Sequence, residues 1–123
     1  MASPGSCPFC DLGSRVVAEN ALAAALPDKE PASRGHTLVV PKRHCASFFD
    51  LTPEEVAACF ALLSSERAKL VSELRPDGFN LGVNDGAAAG QSIQHTHWHL
   101  IPRYRGDHPD PRGGVRHVIP TRR

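Results

Sequence analysis

Charge imbalance, long apolar runs, repeats and export features are what this chain of 123 residues lacks. Its 14 lysines and arginines face 13 acidic residues, a formal charge of +1. That balance supplies no broad basic surface for duplex nucleic acid and no acidic tail. No apolar run approaches the ~20 residues needed to cross a bilayer. The opening Met1-Ala2-Ser3-Pro4-Gly5-Ser6 has neither the charged start nor the apolar segment of a secretory signal, so the expected compartment is the cytoplasm. Repeats, low-complexity stretches and interdomain linkers are absent, and the length suits one domain over residues 1–123 with a modest core. Without an export signal, Cys7, Cys10, Cys45 and Cys59 read as reduced thiols, the close pair as metal candidates and Cys59 as inert core.

After an N-terminal segment, residues 1–14, the pattern predicts strands over Arg15–Glu19 and Ala21–Leu26, joined at Glu19-Asn20. Pro27 to Gly35 is loop, and His36-Thr37-Leu38-Val39-Val40 is β-branched and apolar, a strand that Pro41 should end. Thr52-Pro53-Glu54-Glu55 supplies an N-cap threonine, a proline at the first helical position and a glutamate at the third. Val56, Cys59, Phe60, Leu63, Leu70, Val71 and Leu74 then recur at helical spacing, with Ser64, Ser65, Glu66, Arg67 and Lys69 mostly opposite, until Pro76 and Gly78 stop the helix. Further strands are expected over Phe79–Asn84 and Ile93–Ile101, the second ended by Pro102, before an irregular tail over residues 103–123. The order βββαββ implies an α+β, two-layer domain with a five-stranded antiparallel sheet, one long helix and one shorter one.

Gln94-His95-Thr96-His97-Trp98-His99 carries most of the chemical information. On a strand, His95, His97 and His99 would share one face, leaving Thr96, Trp98 and Leu100 to pack. Three imidazoles make a poor core surface, so the row needs a reason. A single ion bound by all three is disfavoured, because His95 and His99 would start ~13 Å apart at ~3.3 Å per residue. Nucleophilic catalysis fits better: a neutral imidazole attacks phosphorus at physiological pH and then leaves readily, while its neighbour holds oxygens or protonates the departing group. The preceding Asn84-Asp85-Gly86-Ala87-Ala88-Ala89-Gly90-Gln91-Ser92 offers free amides, a carboxamide and a hydroxyl suited to phosphate oxygens.

The segment Gly90-Gln91-Ser92-Ile93-Gln94-His95-Thr96-His97-Trp98-His99-Leu100-Ile101-Pro102-Arg103 resembles the signature of the histidine triad (HIT) superfamily. Gly35-His36-Thr37-Leu38-Val39-Val40-Pro41-Lys42-Arg43-His44 is similar to its central strand, and Asn84-Asp85-Gly86 to its phosphate loop. The tail from Asp110 to Pro120 resembles that of bacterial members described as dinucleoside polyphosphate hydrolases. The resemblance implies a HIT-like fold, a homodimer and a nucleotide hydrolase acting on esters, phosphoramidates or dinucleoside polyphosphates. His97 would attack the α-phosphate to give a nucleotidyl-histidine intermediate, which water resolves to a nucleoside monophosphate. His99 would contact α-phosphate oxygens and assist the leaving group, and His36 would reach the back of the His97 ring and set its tautomer. Asn84, Gln91 and Ser92 would hold phosphate and ester oxygens, and Asp28 the ribose hydroxyls of a nucleotide, expected to contain adenine. A non-catalytic nucleotide-binding module and a nucleotidyltransferase with the same intermediate are the alternatives.

Cys7 and Cys10 have zinc-knuckle spacing without a second such pair, so further ligands must come from afar. The resemblance to bacterial members with the Cys7-Pro8-Phe9-Cys10 opening implies His44 and His95 as the remaining ligands, with Cys45 competing with His44. A structural zinc would then occupy His95, leaving His97 and His99 for chemistry. Of the tail arginines Arg112, Arg116, Arg122 and Arg123, Arg112 or Arg116 is expected to reach a distal phosphate.

Overall fold

A computed structural model describes residues 7–120; the opening segment read for export and the terminal Arg122 and Arg123 lie outside the described residues. The strands are β1 (Ala18–Glu19), β2 (Ala23–Pro27), β3 (Thr37–Pro41), β4 (Gly78–Val83) and β5 (Trp98–Arg103), with one α-helix, α1 (Pro53–Leu74), between β3 and β4. They form one sheet in the order β1-β2-β3-β5-β4, and every neighbouring pair is antiparallel. The α+β expectation holds, with the shorter helical pieces realised as 3-10 turns, such as Phe48–Asp50 and Gly114–Val118.

Several strand boundaries differ from the sequence reading: β1 and β2 start at Ala18 and Ala23 and not at Arg15 and Ala21, with Gly13–Arg15 in a 3-10 turn. Pro41 and Pro102 lie inside β3 and β5. Pairing of β3 with β5 covers only Thr37–Val39 against Trp98–Leu100, so each proline sits where its strand has a single neighbour, an edge that tolerates a missing donor. The fifth strand also starts later than expected, at Trp98, because residues 93–97 are held elsewhere: the Thr96 amide donates to the Cys45 carbonyl at 2.7 Å.

The capping signal of α1 is realised in full. Thr52 Oγ1 accepts from the Glu55 amide, and Glu55 Oε1 accepts from the Thr52 amide. The same carboxylate takes two bonds from Arg43, at 2.8 and 2.9 Å, and this pairing holds the buried Glu55 down at about 2. At the other end Pro76 bars its predecessor from the α region, and Arg75 closes the helix in the left-handed conformation. The inward stripe is Cys59, Leu62, Leu63, Glu66 and Leu70, while Phe60 and Val71, expected inside, are exposed. Glu66 is buried by the same rotation of the helix and pairs with Lys69 at 3.0 Å.

One core forms between α1 and the sheet, where Ala23, Ala25, Val39 and Leu100 meet Cys59, Leu62, Leu63 and Leu70, with Trp98 packed alongside. The opposite face of the sheet carries a second cluster, Ala24, Leu26, Leu38 and Val40, covered by Cys7 and Phe9 of the N-terminal turn. Hence β2 is buried on both faces from Ala23 to Leu26. Gly35 enters β3 at φ 91°, and a Cβ there would lie 2.8 Å from Leu74 and 3.0 Å from Leu70.

In urea unfolding, Thr52→Ala should cost about 1 kcal/mol, the usual worth of an N-cap. Gly35→Ala should cost about 1–3 kcal/mol, through backbone strain and overpacking against Leu70 and Leu74. An unchanged midpoint in either variant would contradict this account of the helix and its packing.

Candidate active site

The register of the central strands brings the first two imidazoles together. Leu38 pairs with His99, so His36, two residues earlier, is a diagonal neighbour of His99 on the same sheet face, within reach of a long side chain. His36 Nε2 and His99 Nδ1 are 2.9 Å apart. This corrects the expectation that His36 reaches the His97 ring. His97 precedes the strand and finds a different partner, its Nδ1 lying 3.0 Å from the main-chain carbonyl of His95.

Those contacts determine where the protons are. A carbonyl can only accept, so His97 Nδ1 carries its proton and its Nε2 presents a lone pair. The Ala32 amide donates to His36 Nδ1 at 2.9 Å, which places the His36 proton on Nε2, donated to His99 Nδ1. His99 must then be protonated on Nε2, and that atom is buried with no partner among the described residues. The pair is therefore neutral, with an N–H held ready. Burial, the main cause, together with the neighbouring His97 and His36, lowers His99 to about 4, against a small opposing pull from Asp28. His36 is lowered by burial too, partly offset by Asp28.

His97 and His99 line a cleft of about 250 Å³ whose wall also includes Phe9, Leu26, Asp28, Asn84 and Ser92. Asp28 Oδ1 accepts from the Glu30 amide, and its Oδ2 lies 3.4 Å from His36 Nε2. Asn84 and Ser92 line the same cleft. Gln91 differs from expectation. Its Oε1 accepts from the Gly86 amide while its Nε2 donates to the Ala46 and Ile93 carbonyls, so the carboxamide is consumed in shaping the loop and does not line the cleft. Asp85 does similar work, accepting from Ser47 Oγ and the Phe48 amide. Trp98 lies off the cleft as expected, edge-on to Phe48 at 5.0 Å. Arg112 pairs with Asp110, and neither Arg112 nor Arg116 lines the cleft within this chain.

Phe9 is the residue that sequence reasoning passed over. Its ring centroid stands 4.9 Å from that of His97, edge to face. The available signal was its place between two cysteines, read only for their sulfur.

Behind the cleft, Cys7, Cys10, His44 and His95 gather so that their ligand atoms all lie within 4.8 Å of one another. Cys10 Sγ is 3.1 Å from His44 Nδ1, and Cys7 Sγ is 3.5 Å from His95 Nδ1. Ligands on a tetrahedral zinc, with bonds of ~2.0–2.3 Å, stand about 3.3–3.8 Å apart. His95 Nε2 donates to the Pro41 carbonyl at 2.7 Å, which frees Nδ1 for a metal and orients the ring, the usual outer support of a ligating histidine. The competing Cys45 instead donates to the Ser47 carbonyl. The set fits zinc. Asp28, His36 and His99 are comparably close, but there the histidine–histidine hydrogen bond already uses both facing nitrogens.

Because the unfolded chain protonates His99 near pH 6.5 and the folded one only at about 4, stability should fall as pH drops through that interval and level off below it. His99→Gln should flatten part of the decline in urea midpoint between those limits. An equal slope in wild type and variant would refute the assignment of a neutral, buried ring.

Comparison with known proteins gives a HIT domain match over residues 11–106. An adenosine 5'-monophosphoramidase of Schizosaccharomyces pombe is 36% identical over 80% of this chain and 74% of its own length. An asymmetrical bis(5'-nucleosyl)-tetraphosphatase of the same organism is 34% identical over 78% of this chain, which spans 53% of that relative. The crystal structure of a zinc-bound histidine triad family protein from Mycobacterium smegmatis superposes with a TM-score of 0.77 at 33% identity, covering 94% of this chain and 92% of that one.

Proposed function

The chain belongs to the HIT domain family, and on that premise we propose that it is a nucleotide hydrolase that cleaves at the α-phosphate through a nucleotidyl-histidine intermediate. The observation that carries this reading is the His97 Nδ1–H donated to the His95 carbonyl, which leaves the Nε2 lone pair as nucleophile. His97 Nε2 forms the bond to phosphorus as the P–O or P–N bond to the leaving group breaks, its electron pair departing with that group. His99 Nε2–H donates to an α-phosphate oxygen or to the departing atom, and the His36–His99 hydrogen bond holds that donor in place. Water then attacks phosphorus, a nucleoside monophosphate leaves and the imidazole is regenerated.

Asn84 and Ser92, which line the cleft, would hold phosphate oxygens, and Asp28 in the same lining would take the ribose hydroxyls. The relatives named for adenosine phosphoramidate and dinucleoside tetraphosphate cleavage support an adenine nucleotide as substrate. Cys7, Cys10, His44 and His95 would hold a structural zinc, which supplies cross-linking of the N-terminal turn to the loop before β5 and no step of the reaction. The four cysteines form no disulfide among the described residues, which goes with a cytoplasmic setting, and no described helix is long and apolar enough to cross a membrane. The sheet ends at β4, a six-residue edge with Leu81 47% exposed. Such an edge invites pairing with a second copy, and the homodimer is part of this proposal.

Incubation of His99→Ala with adenosine 5'-phosphoramidate, followed by mass spectrometry, should show one adenylyl unit on the peptide containing His97. His97→Ala should show none, with kcat reduced about 10⁴-fold or more. Binding of the nucleotide by wild type without any release of AMP would establish a non-catalytic module instead. Protein purified without added zinc should carry close to one equivalent per chain and lose it in Cys10→Ser; less than half an equivalent in wild type ends the zinc assignment.

A further inference from the structure

We propose that Phe9 is a positioning residue for the His97 imidazole, held in place by the metal cluster on either side of it; this rests on His97 being the nucleophile. A single hydrogen bond at Nδ1 leaves an imidazole free to swing about its Cβ–Cγ bond. A flip of the ring would put carbon where Nδ1 belongs and aim the lone pair out of line. Two rings oppose that movement. His99 stands 5.0 Å away and Phe9 4.9 Å away at 68°, inside the roughly 4.5–7 Å range of favourable edge-to-face contact. Phe9 is 6% exposed, so it has little room to yield.

The N-terminal turn fixes Phe9 twice over. Cys7 and Cys10, its flanking neighbours, face the cluster with His44 and His95, and the Cys10 amide closes the turn on the Cys7 carbonyl. Arg15 donates to the carbonyls of Pro8, Asp11 and Leu12, binding the turn to the segment that follows. The acceptor on the other side of His97 hangs from the same cluster, because His95 offers its ring to the cysteines and its carbonyl to His97 Nδ1. One tie thus sets both the ring that flanks the nucleophile and the carbonyl that orients it. A Phe9 that served only as cleft wall would influence how tightly substrate binds; as a positioning residue it governs how often the bound state reacts.

The test uses the full chain as Phe9→Leu, with zinc content measured first. Two-bond proton–nitrogen spectra of histidine-labelled protein at pH 7 report the His97 tautomer without substrate. Wild type should show the Nδ1–H form alone, and Phe9→Leu a mixture, with kcat toward adenosine 5'-phosphoramidate down about tenfold and KM within about twofold. Wild type stripped by a chelator should show the same mixing. A single retained tautomer, or a loss confined to KM, overturns the proposal for Phe9, and retention of the single form after chelation overturns its dependence on the cluster. Should Leu prevent folding, Phe9→Met is read by the same criteria. Absence of any nucleotidyl adduct in the preceding experiment would remove His97 as nucleophile while leaving the tautomer result standing, so the two failures are distinguishable.

Discussion

The His95 main-chain carbonyl accepts the Nδ1–H of His97 at 3.0 Å, and the chemical meaning of the cleft depends on that contact. An imidazole has two nitrogens and, when neutral, one proton; whichever nitrogen is committed to a donor role leaves the other as the base or nucleophile. Here the commitment is made by backbone, which does not titrate and cannot change role. The same residue's ring is held at both nitrogens, Nε2 by the Pro41 carbonyl and Nδ1 by the sulfur cluster, so the acceptor is fixed in space as well as in kind.

A second chain of contacts prepares the neighbouring ring. The Ala32 amide, His36 and His99 form a donor series that ends in a buried N–H with nothing to bond. An unsatisfied buried donor costs stability, and it is tolerated at a place where a phosphoryl oxygen would satisfy it. Burial lowers His99 to about 4, which keeps this donor neutral and its orientation constant over the physiological range. Asp28 beside the pair softens that depression without reversing it. Stability is thus given up at a buried donor beside the cleft, which the proposed reaction would use to hold developing charge.

The remainder of the fold brings these two arrangements to one cleft, with the His97 and His99 rings 5.0 Å apart. The sheet register places His36 diagonal to His99, and Gly35 lets the chain pass under Leu70 and Leu74 to reach it. The loop from Asn84 to Ser92 is shaped by Gln91 and Asp85, leaving Asn84 and Ser92 for the cleft. The N-terminal turn covers the sheet face opposite α1 and carries Phe9 to the His97 ring.

Local signals in the sequence were sufficient for the elements whose causes are local. The capping box at Thr52 and Glu55, the proline stop at Pro76 and the apolar run of β3 act through neighbours in the chain, and each is read correctly from it. The histidine row marked the site, and the pairing of the cysteines with His44 and His95 agrees with the resemblance read from the motifs. What pattern could not supply was the partner of each polar atom. Whether His36 faces His97 or His99 follows from sheet register, whether Gln91 faces substrate or its own loop follows from where Ala46 and Gly86 come to rest, and the inward face of α1 follows from its rotation against the sheet. Those are contacts between residues far apart in sequence, each decided by packing and hydrogen-bond satisfaction across the whole domain, and periodicity along one segment carries no information about them.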